Sequence, residues 1–468
     1  MLSGLSSDKM KLRDYKHIHF IGIGGIGVSA IAEIVASRGV IASGSDMKAS
    51  DVTENLLKQG IKVYIGHDAK NVEGADLVVY STAVSLENPE IVAAKAAGIP
   101  VITRSEALGL MMTEYPISIA VSGTHGKTTT TSMVSLILEH AGMDPTVLVG
   151  GILNEFHSNA RIGKTEKLVT EACEYMDNFL DLKPLIEIIL NIDSDHLDYF
   201  KDIDHIAKSF ESFTGNLKDG GFIVAYDSNP FVKAVTENCD KKVVTFGFSE
   251  TSDFYAKNIS FNEEGHPSYD LYSKNGFERR IELGVPGEHN VANSLAAVAT
   301  CINLGVDLDS IEQTLEAFKG TQRRFDIIGK TENGCTIVDD YAHHPTEIKA
   351  TLAAAQHFTH HTVWCLFQPH TYTRTLALMD EFADSFEDAD KVVFAEIYAA
   401  REKNIYKVSS KTLMDRIKEK HPDKDVFFFD SFDKIADFVK NNSSEGDMII
   451  TMGAGDIYKV GEMILGKN

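Results

Sequence analysis

Gly123-Thr124-His125-Gly126-Lys127-Thr128-Thr129-Thr130 is the stretch that decides the fold of this chain. It follows a short apolar run at residues 117–121, which predicts a buried strand, and precedes an apolar-periodic segment at residues 133–138, which predicts a helix. A glycine turn between a strand and a helix that begins with Lys-Thr is a phosphate cradle, because backbone amides, the lysine charge and the threonine hydroxyl converge there. Position 121 holds Val where the common phosphate-loop pattern has Gly, which argues against an ordinary GTPase or kinase.

Length and charge restrict the class of protein. The 468 residues are too many for one hydrophobic core and predict about three domains. The composition, 43% hydrophobic and 24% charged, is that of a globular protein, and no apolar run reaches the ~18 to 20 residues of a membrane helix. We therefore expect no membrane insertion. The formal charge of −23 disfavours a general nucleic-acid surface, so we expect no nucleic-acid partner and local binding of any anionic ligand.

The cysteines and the N-terminal stretch predict a cytoplasmic protein. The five cysteines are scattered and odd in number, which is typical of reduced thiols rather than of a disulfide framework or a zinc site. They are Cys173, Cys239, Cys301, Cys335 and Cys365. The first fourteen residues are polar and lack the apolar core of a signal peptide.

Strand-like and helix-like segments alternate along nearly the whole chain, which predicts an α/β protein with parallel sheets covered by helices. Boundaries near residues 111–116 and 320–327 divide the chain into three such units. The predicted buried strands lie at residues 17–21, 77–80, 100–103, 117–121, 167–170, 186–190, 336–338, 363–367, 391–394 and 448–451. Shorter alternating segments from 253 to 283 predict antiparallel hairpins with a turn at Asn275-Gly276, followed by a helix over 290–304.

Residues 22–27, Gly-Ile-Gly-Gly-Ile-Gly, form a second glycine-rich motif directly after the first predicted strand. Asp46 lies roughly 20 residues further on, where an acid often binds a ribose hydroxyl. Both NAD and a nucleotide-sugar diphosphate suit this geometry, and a tight strand–helix turn without any ligand is the structural alternative. The motif alone does not separate them.

Glu171 and His196 follow later strands of the central unit. The carboxyl ends of parallel strands are where an open sheet places its ligands, so both residues would approach the Mg²⁺ of a bound nucleotide. Taken singly, each has a plain alternative: Glu171 as a solvated loop acid and His196 as a helix-capping residue. Cys173 and Glu174 beside them fit a ligand role less well.

Two further groups of polar residues accompany predicted elements. Residues 287–293 open the helix that ends the central unit, and their carboxamides suit the edge of a purine, with N-capping by Asn290 as the alternative. Residues 339–345 and 368–374 follow strands of the third unit and are rich in histidine. Their spacing fits no common zinc signature, so we interpret them as polar groups at the mouth of a substrate site.

Taken in order, these motifs resemble the Mur ligase family over essentially the whole chain. The segments that carry the resemblance are residues 22–27, 123–128, 191–196, 287–293, 323–325, 340–345, 368–374 and 452–456. The resemblance implies a UDP-binding Rossmann-like domain at 1–113, a central ATP-binding domain at 114–324 and a C-terminal Rossmann-like domain with amino-acid contacts at 325–468. The central domain would be a parallel sheet of the P-loop ATPase type with a small antiparallel insertion.

The resemblance also implies an ATP-dependent, amide-bond-forming ligase of peptidoglycan precursor synthesis that uses Mg²⁺. The substrates implied are UDP-N-acetylmuramate and L-alanine, and the protein would be a monomer or homodimer. ATP would phosphorylate the lactyl carboxylate, and the amino group of L-alanine would attack the resulting acyl phosphate and expel phosphate. The protein would mainly position the reactants and neutralise charge, as in other phosphoryl transfers.

The family's functional residues map onto positions of this sequence. Those expected to bind ATP are Gly123, Thr124, His125, Gly126, Lys127, Thr128, Thr129, Asn290, Asn293, Arg324 and Asp340. Those expected at the UDP-sugar and amino-acid site are Gly22, Gly24, Gly25, Gly27, Asp46, Tyr80, Ser81, Thr82, Tyr341, His343 and His370, with Arg374. The expected metal ligands are Thr128, Glu171 and His196, and the expected catalytic residues are Lys127, Glu171, His196 and Arg374.

The chain departs from many relatives at two places. It has Glu171-Ala172-Cys173-Glu174-Tyr175 where they read Glu-Ala-Asp-Glu-Ser, and Thr371 where they have Arg. No carbamylated lysine is expected, in agreement with the alanine-adding branch. The alternatives are a related ligase that adds a peptide to UDP-N-acetylmuramate, a noncatalytic nucleotide-binding partner of the same fold, and an NAD-dependent oxidoreductase, which leaves the phosphate loop without a task.

Overall fold

A computed structural model describes residues 11–153, 155, 158–237 and 239–467; positions 1–10 of the polar N-terminal stretch lie outside these ranges. The described strands form three sheets, one in each predicted unit, with helices packed on them. Among the described residues, no helix is both long and apolar enough to cross a membrane. The predicted three-part α/β fold is confirmed.

The first unit is a parallel sheet with helices on its faces. Its elements are β1 (His17–Ile21), α1 (Ile26–Ser37), β2 (Ile41–Asp46), α2 (Asp51–Lys58), β3 (Lys62–Ile65), β4 (Leu77–Tyr80), α3 (Pro89–Ala96), β5 (Val101–Thr103) and α4 (Arg104–Met112). The strand order is β3-β2-β1-β4-β5. The order reverses beside β1, and the glycine motif follows that strand, so the motif lies at the switch point where such sheets bind ligands.

The second unit holds the largest sheet. Its elements are β6 (Ile117–Ser122), α5 (Lys127–His140), β7 (Thr146–Leu153), β8 (Ser158–Arg161), β9 (Lys167–Glu171), β10 (Ile186–Ile189), α6 (Ile203–Thr214), β11 (Phe222–Tyr226), α7 (Pro230–Glu237), β12 (Lys242–Gly247), β13 (Phe254–Phe261), β14 (Pro267–Ser273), β15 (Gly276–Glu282), α8 (His289–Asn303) and α9 (Leu308–Ala317). The strand order is β15-β14-β13-β12-β11-β10-β6-β9-β7-β8. The strand before the phosphate loop, β6, therefore lies between the strands that end near Glu171 and His196.

The predicted hairpins are confirmed, and they continue the central sheet at one edge. β13 pairs parallel to β12, and β13, β14 and β15 then pair antiparallel to one another. The turn between β14 and β15 is one residue earlier than predicted. Lys274 and Asn275 form it, while Gly276 already pairs with Ser273.

Helices α5 and α8 pack side by side against the central sheet. Their apolar residues, among them Met133, Ile137, Val291 and Leu295, share one buried cluster with Val121 of β6. Burial of each such side chain stabilises the fold by about 1.5–3 kcal/mol. This packing fixes the N-terminal ends of both helices at the carboxyl edge of the sheet, which is where the phosphate loop lies.

The third unit is a sheet with one antiparallel edge strand among the described residues. Its elements are β16 (Asp326–Lys330), β17 (Thr336–Asp340), α10 (Pro345–Ala355), β18 (Val363–Phe367), α11 (Tyr372–Ala377), α12 (Met379–Ala383), β19 (Lys391–Phe394), α13 (Ser410–Lys420), β20 (Asp425–Phe428), α14 (Phe432–Asn442), β21 (Met448–Met452) and α15 (Tyr458–Ile464). The order is β16-β17-β21-β18-β19-β20, and β16 runs antiparallel to β17. The histidine-rich segments follow β17 and β18 and face the second unit.

Candidate active site

The phosphate loop joins β6 to α5 through two glycines in the left-handed half of backbone space. Gly123 has φ of +131° and Gly126 has φ of +85°. A Cβ at Gly126 would lie 2.5 Å from Oδ1 of Asn293, so neither the backbone nor the space there accepts a side chain. Asn191 braces the loop from the end of β10: its Oδ1 accepts from the amide of His125 at 2.8 Å, and its Nδ2 donates to the carbonyl of His125 at 3.0 Å.

Lys127, the first residue of α5, is directed back into the loop. Its Nζ donates to the carbonyl oxygens of Gly123 and Thr124 and lies 2.9 Å from Oε2 of Glu174. Burial alone would lower the pKa of Lys127, but the Glu174 carboxylate outweighs it and the pKa is raised. The lysine is therefore a permanent cation at the position where a triphosphate would meet the loop.

Glu174 is the acid that sequence reasoning placed lowest, and it has a central position. Its side chain is 2% exposed and lies between Lys127 and His196, with Oε1 at 3.7 Å from Nε2 of the histidine. His196 has φ of +53° and its ring lies 4.6 Å from that of Tyr175. A buried carboxylate between a lysine and a histidine is a feature that one-dimensional spacing did not reveal.

The candidate metal ligands Thr128 and Glu171 lie beside two adjacent glycines of β7, Gly151 and Gly150. A Cβ on Gly151 would lie 3.3 Å from Cγ2 of Thr128, and one on Gly150 would lie 2.9 Å from Oε2 of Glu171. The Gly150 amide donates to Oε1 of Glu171 at 2.7 Å, which orients the carboxylate and leaves Oε2 for a cation. A hydroxyl and a carboxylate beside a phosphate loop are the hard oxygen donors that Mg²⁺ prefers, so these residues fit the ion.

A cavity of about 550 Å³ opens beside the phosphate loop, between the second and third units. The predicted ATP residues that line it are His125, Gly126, Thr129, Asn290, Asn293, Arg324 and Asp340. Its other walls include Tyr226, Phe231, Phe246 and Phe248, which sequence reasoning missed because single aromatic residues in or beside strands and helices are ordinarily core. A cavity with aromatic walls and carboxamides at one side has the chemistry of a purine site.

Two of the predicted ATP residues are held by their own surroundings. Asn290 is the second residue of α8 and not its cap; its Nδ2 donates to the Pro286 carbonyl at 2.7 Å and its Oδ1 accepts from Asn293 at 3.0 Å. Asp340 accepts from the amides of Phe325 and Ala342 at 2.7 and 2.6 Å. Burial raises the pKa of Asp340 to about 6 against the opposing effect of Arg324.

Residues 193–195 of the second unit contact the third unit through hydrogen bonds and an ion pair. The guanidinium of Arg374 contacts Asp195 at 3.0 and 3.3 Å, and the Thr346 hydroxyl donates to Asp193 at 2.8 Å. Nδ1 of His344 accepts from the Thr346 amide, so its Nε2 carries the proton and donates to the Ser194 carbonyl at 3.1 Å. Charged and polar contacts therefore close the cleft on the phosphate-loop side.

His125 of the phosphate loop is part of the same junction. Its Nδ1 lies 3.2 Å from Glu347 of α10, and its Nε2 lies 3.4 Å from Asp193. Burial would lower the pKa of His125, but the two carboxylates outweigh it and raise the pKa to about 9. The phosphate loop thus carries an imidazolium in addition to the lysine.

The histidines at the mouth of the third unit are neutral. Burial lowers the pKa of His343 to about 3 and that of His370 to about 4. His343 donates from Nδ1 to the Tyr341 carbonyl at 2.9 Å, and His370 accepts from Arg374 at 3.1 Å through Nδ1. Thr371 has φ of +68° and caps α11, the helix that carries Arg374.

The glycine motif of the first unit is held by the next strand. The Gly24 amide donates to Oδ2 of Asp46 at 2.9 Å, and Gly22 donates to the Ser45 carbonyl at 2.8 Å. A Cβ on Gly22 would lie 3.3 Å from Cβ of Ser81. The predicted residues Gly22, Gly24, Asp46 and Ser81 are thus brought together; Gly25 caps α1, Tyr80 ends β4, and Thr82 lies in the exposed turn after it.

A second cavity, of about 270 Å³, separates the first unit from the second. Gly27 and Arg104 line it on one side, and Gly150 and Glu171 line it on the other. The glycine motif of the first unit and the candidate metal ligand of the second therefore face one enclosed space. Gly27 is the sole predicted UDP-sugar residue among the lining residues described for it.

Comparison with known proteins shows that each of the three units matches a domain model of the Mur ligases. Residues 17–116 match the model described as "Mur ligase family, catalytic domain", residues 121–301 the "Mur ligase middle domain" and residues 323–455 the "Mur ligase, glutamate ligase domain". The chain is 48% identical to the UDP-N-acetylmuramate–L-alanine ligase of Caldanaerobacter subterraneus, over 98% of this chain and 99% of that one. It is 47% identical to the ligase of the same name from Acetivibrio thermocellus, over 96% of each chain.

Solved structures agree with the sequence comparison. The UDP-N-acetylmuramate–alanine ligase of Thermotoga maritima superposes with a TM-score of 0.81 at 31% identity, covering 97% of this chain and 99% of that one. A murein peptide ligase of Psychrobacter arcticus superposes with a TM-score of 0.73 at 25% identity, covering 97% and 98%. Both the fold and the order of the three units are shared along the whole length.

Proposed function

The chain belongs to the Mur ligase family, and we propose that it joins L-alanine to the lactyl carboxylate of UDP-N-acetylmuramate at the expense of ATP, as a step of peptidoglycan precursor synthesis. The observation that carries the proposal is the near-half identity, over almost the entire length, to relatives that bear this activity in their names. The named murein peptide ligase shares fewer identical residues and superposes less closely. ATP and a UDP-sugar as substrates support a cytoplasmic location.

The chemistry requires activation of the carboxylate, because hydroxide is a poor leaving group. A carboxylate oxygen attacks the γ-phosphorus of ATP and ADP departs, which leaves an acyl phosphate. The amino group of L-alanine then adds to the acyl carbon, and the tetrahedral intermediate expels inorganic phosphate and loses a proton. The protein must hold ATP, the lactyl carboxylate and the amino group of L-alanine so that each nucleophile can reach the atom it attacks. It must also neutralise the phosphates and exclude water.

Lys127 and the phosphate loop would perform the first task. The Lys127 cation is already directed into the loop, and on nucleotide binding its ammonium would move from the Gly123 and Thr124 carbonyls to the β- and γ-phosphates. The aromatic cavity beside the loop would receive adenine, with Asn290 and Asn293 at its edge. Arg324 lines the same cavity and would contact the phosphates.

Thr128 and Glu171 would hold the Mg²⁺ on ATP, and His196 would hold a second Mg²⁺ near the acyl phosphate. The ions would supply charge neutralisation on the triphosphate and on the transferring group. Oε1 of Glu171 is occupied by the Gly150 amide, so its Oε2 is the ligand atom that the geometry supports. His196 would stand on the far side of Glu174, facing the acyl phosphate.

Domain boundaries near 113/114 and 324/325 remain our proposal and agree with the separate sheets. The active site would then assemble from all three units, with the sugar nucleotide on the first, ATP on the second and L-alanine on the third. Tyr341, His343, His370 and Arg374 would surround the amino acid and the muramoyl group. Two neutral histidines and one arginine suit two substrates that together carry an amine and two carboxylates, those of L-alanine and of the lactyl group.

The test is ADP release measured across a panel of amino acids. We expect release only when UDP-N-acetylmuramate and an amino acid are both present, with L-alanine preferred and glycine and L-serine poorer by modest factors, because one methyl or hydroxyl group discriminates weakly. Turnover with the tripeptide L-alanyl-γ-D-glutamyl-meso-diaminopimelate and none with L-alanine would assign the muropeptide branch instead. No ADP release with any amine would leave a noncatalytic nucleotide-binding protein.

A further inference from the structure

Arg104 is a cation for which the described residues supply no counter-charge. Most arginines in the described part of the chain contact a carboxylate: Arg13, Arg38, Arg161, Arg279, Arg280, Arg323, Arg374 and Arg416. Arg104 and Arg324 are partly buried, and among the described residues neither guanidinium has a hydrogen bond or a carboxylate partner. Arg324 lines the nucleotide cavity, where it would contact phosphates. Arg104 lines the second cavity, at the junction of the first and second units.

The position of Arg104 is built into the fold. It is the first residue of α4, whose N-terminus is fixed by reciprocal hydrogen bonds between Thr103 and Glu106. Its side chain lies over Gly27 of α1, where a Cβ would come within 3.1 Å of Cδ and 3.2 Å of a guanidinium nitrogen. The last glycine of the first motif therefore leaves room for the arginine as well as for the backbone turn.

The cavity around Arg104 has opposite charges on its two walls. The guanidinium stands on the side of the first unit, and the Glu171 carboxylate stands on the side of the second. No ion pair joins Arg104 and Glu171 among the described residues, and the Glu171 carboxylate accepts a hydrogen bond from the Gly150 amide instead. An unpaired guanidinium at an enclosed site is costly unless a ligand supplies the counter-charge, because a partly buried charge loses hydration.

We propose that Arg104 binds an oxyanion of the sugar-nucleotide substrate at the junction between the first and second units. The inference rests on the proposed function, since UDP-N-acetylmuramate is the ligand that would supply the anion. That substrate carries two kinds of oxyanion, the diphosphate and the lactyl carboxylate. A volume of about 270 Å³ accommodates a carboxylated sugar or a diphosphate, but not the whole sugar nucleotide. Arg104 would thereby orient the substrate between the glycine motif and the phosphorylation site.

Calorimetric titration without ATP tests the proposal with two ligands. UDP-N-acetylmuramate has both oxyanions, whereas UDP-N-acetylglucosamine has the diphosphate and lacks the lactyl carboxylate. Arg104→Met should bind UDP-N-acetylmuramate about 10- to 100-fold more weakly than the unaltered protein, as expected for loss of one charged hydrogen-bonding contact. Arg104→Lys should recover part of the loss, because it keeps the charge and loses the two-pronged geometry.

The two ligands separate the sources of the anion, and each result has one meaning. Equal weakening for both sugars assigns Arg104 to the diphosphate; weakening for the muramate alone assigns it to the lactyl carboxylate. The matched control is Arg13→Met, in the same unit and outside the cavity, which should bind both ligands like the unaltered protein. The unliganded thermal midpoint of Arg104→Met should match that of the control, so that weak binding is not partial unfolding.

The inference is overturned if Arg104→Met binds UDP-N-acetylmuramate as tightly as the Arg13→Met control. That result would leave the proposed function intact. If instead the unaltered protein binds no UDP-N-acetylmuramate and also releases no ADP when ATP, the sugar nucleotide and L-alanine are all present, the proposed function itself is wrong. The titration and the ADP assay together therefore distinguish the two failures.

Discussion

Replacing Arg374 by Gln should uncouple the third unit from the second. Its guanidinium meets Asp195 at 3.0 and 3.3 Å, and the two side chains are 10% and 8% exposed. Burial would raise the pKa of Asp195, but the Arg374 guanidinium outweighs it and holds the pKa well below its ordinary value. The variant therefore leaves a charged, enclosed carboxylate without its main partner.

The expected cost follows from the burial of the pair. Removing one partner of a buried ion pair costs roughly 3–5 kcal/mol, and the His196 amide, which still donates to Asp195 in the variant, places this site at the lower end, about 3 kcal/mol. If docking of the third unit is needed for turnover, kcat/KM for L-alanine should fall about 100-fold. Asp195→Asn should cause a similar loss, because it leaves the guanidinium unpaired.

The assay is a double-mutant cycle on kcat/KM, with ATP and UDP-N-acetylmuramate saturating. The double variant Arg374→Gln/Asp195→Asn should be no worse than either single variant, which gives a coupling of about 3 kcal/mol. The matched control is the exposed pair Arg416–Asp380, at 2.6 Å, for which we expect no measurable coupling. Additive losses at Arg374 and Asp195, within about 0.5 kcal/mol, would refute the view that they act as one contact.

Three further predictions concern buried groups. Glu187 is fully buried, neither of its carboxyl oxygens has a hydrogen-bond partner among the described residues, and burial raises its pKa well above 4.5. The stability of the protein should therefore fall as the pH rises above 4.5, because ionisation is costlier in the folded state. Glu187→Met should raise the thermal midpoint at neutral pH by the equivalent of about 1–3 kcal/mol, and an unchanged midpoint would contradict this. Gly126→Ala should abolish ATP binding in a titration, because its Cβ would meet Asn293, whereas Gly142→Ala, which has a similar positive φ and open space, should bind ATP normally. Because the pKa of His125 is raised to about 9, its contribution to stability is complete below pH 6.5 and is lost as the pH passes about 9. The thermal midpoint should fall over that pH interval in the unaltered protein and stay flat in His125→Gln. Equal slopes of thermal midpoint against pH in the two proteins would exclude the imidazolium contact.

The elements and their order were predictable from the sequence because their signals are local. The segments that form β1, β6 and β18 are short, rich in Ile, Val and Phe, and bounded by glycine or polar residues, so they predict buried strands directly. The phosphate loop was equally predictable from the sequence, because the backbone geometry at this strand–helix junction requires its glycines. The hairpin turn was misplaced by one residue because Gly276 opens a strand instead of completing the turn.

The contacts between units were not predictable, because they join residues far apart in sequence. Nothing local distinguishes Glu174 from a solvated acid, and its role appears only when β9 and β6 place it against Lys127. Glu347 is an acid in the first turn of α10, yet it contacts His125 more than two hundred residues away. Arg104 likewise carried no motif, and its significance comes from the cavity that two units enclose.

Phosphorylation of the lactyl carboxylate is the step on which the proposed reaction depends, and the fate of a carboxylate oxygen reports on that step. UDP-N-acetylmuramate labelled with ¹⁸O in the carboxylate is incubated with ATP, L-alanine and the protein, and the inorganic phosphate is examined by mass spectrometry. We expect one labelled oxygen in phosphate for each amide bond formed, together with ADP. If the label stayed wholly in the product and water, or moved to AMP, activation by phosphorylation would be wrong.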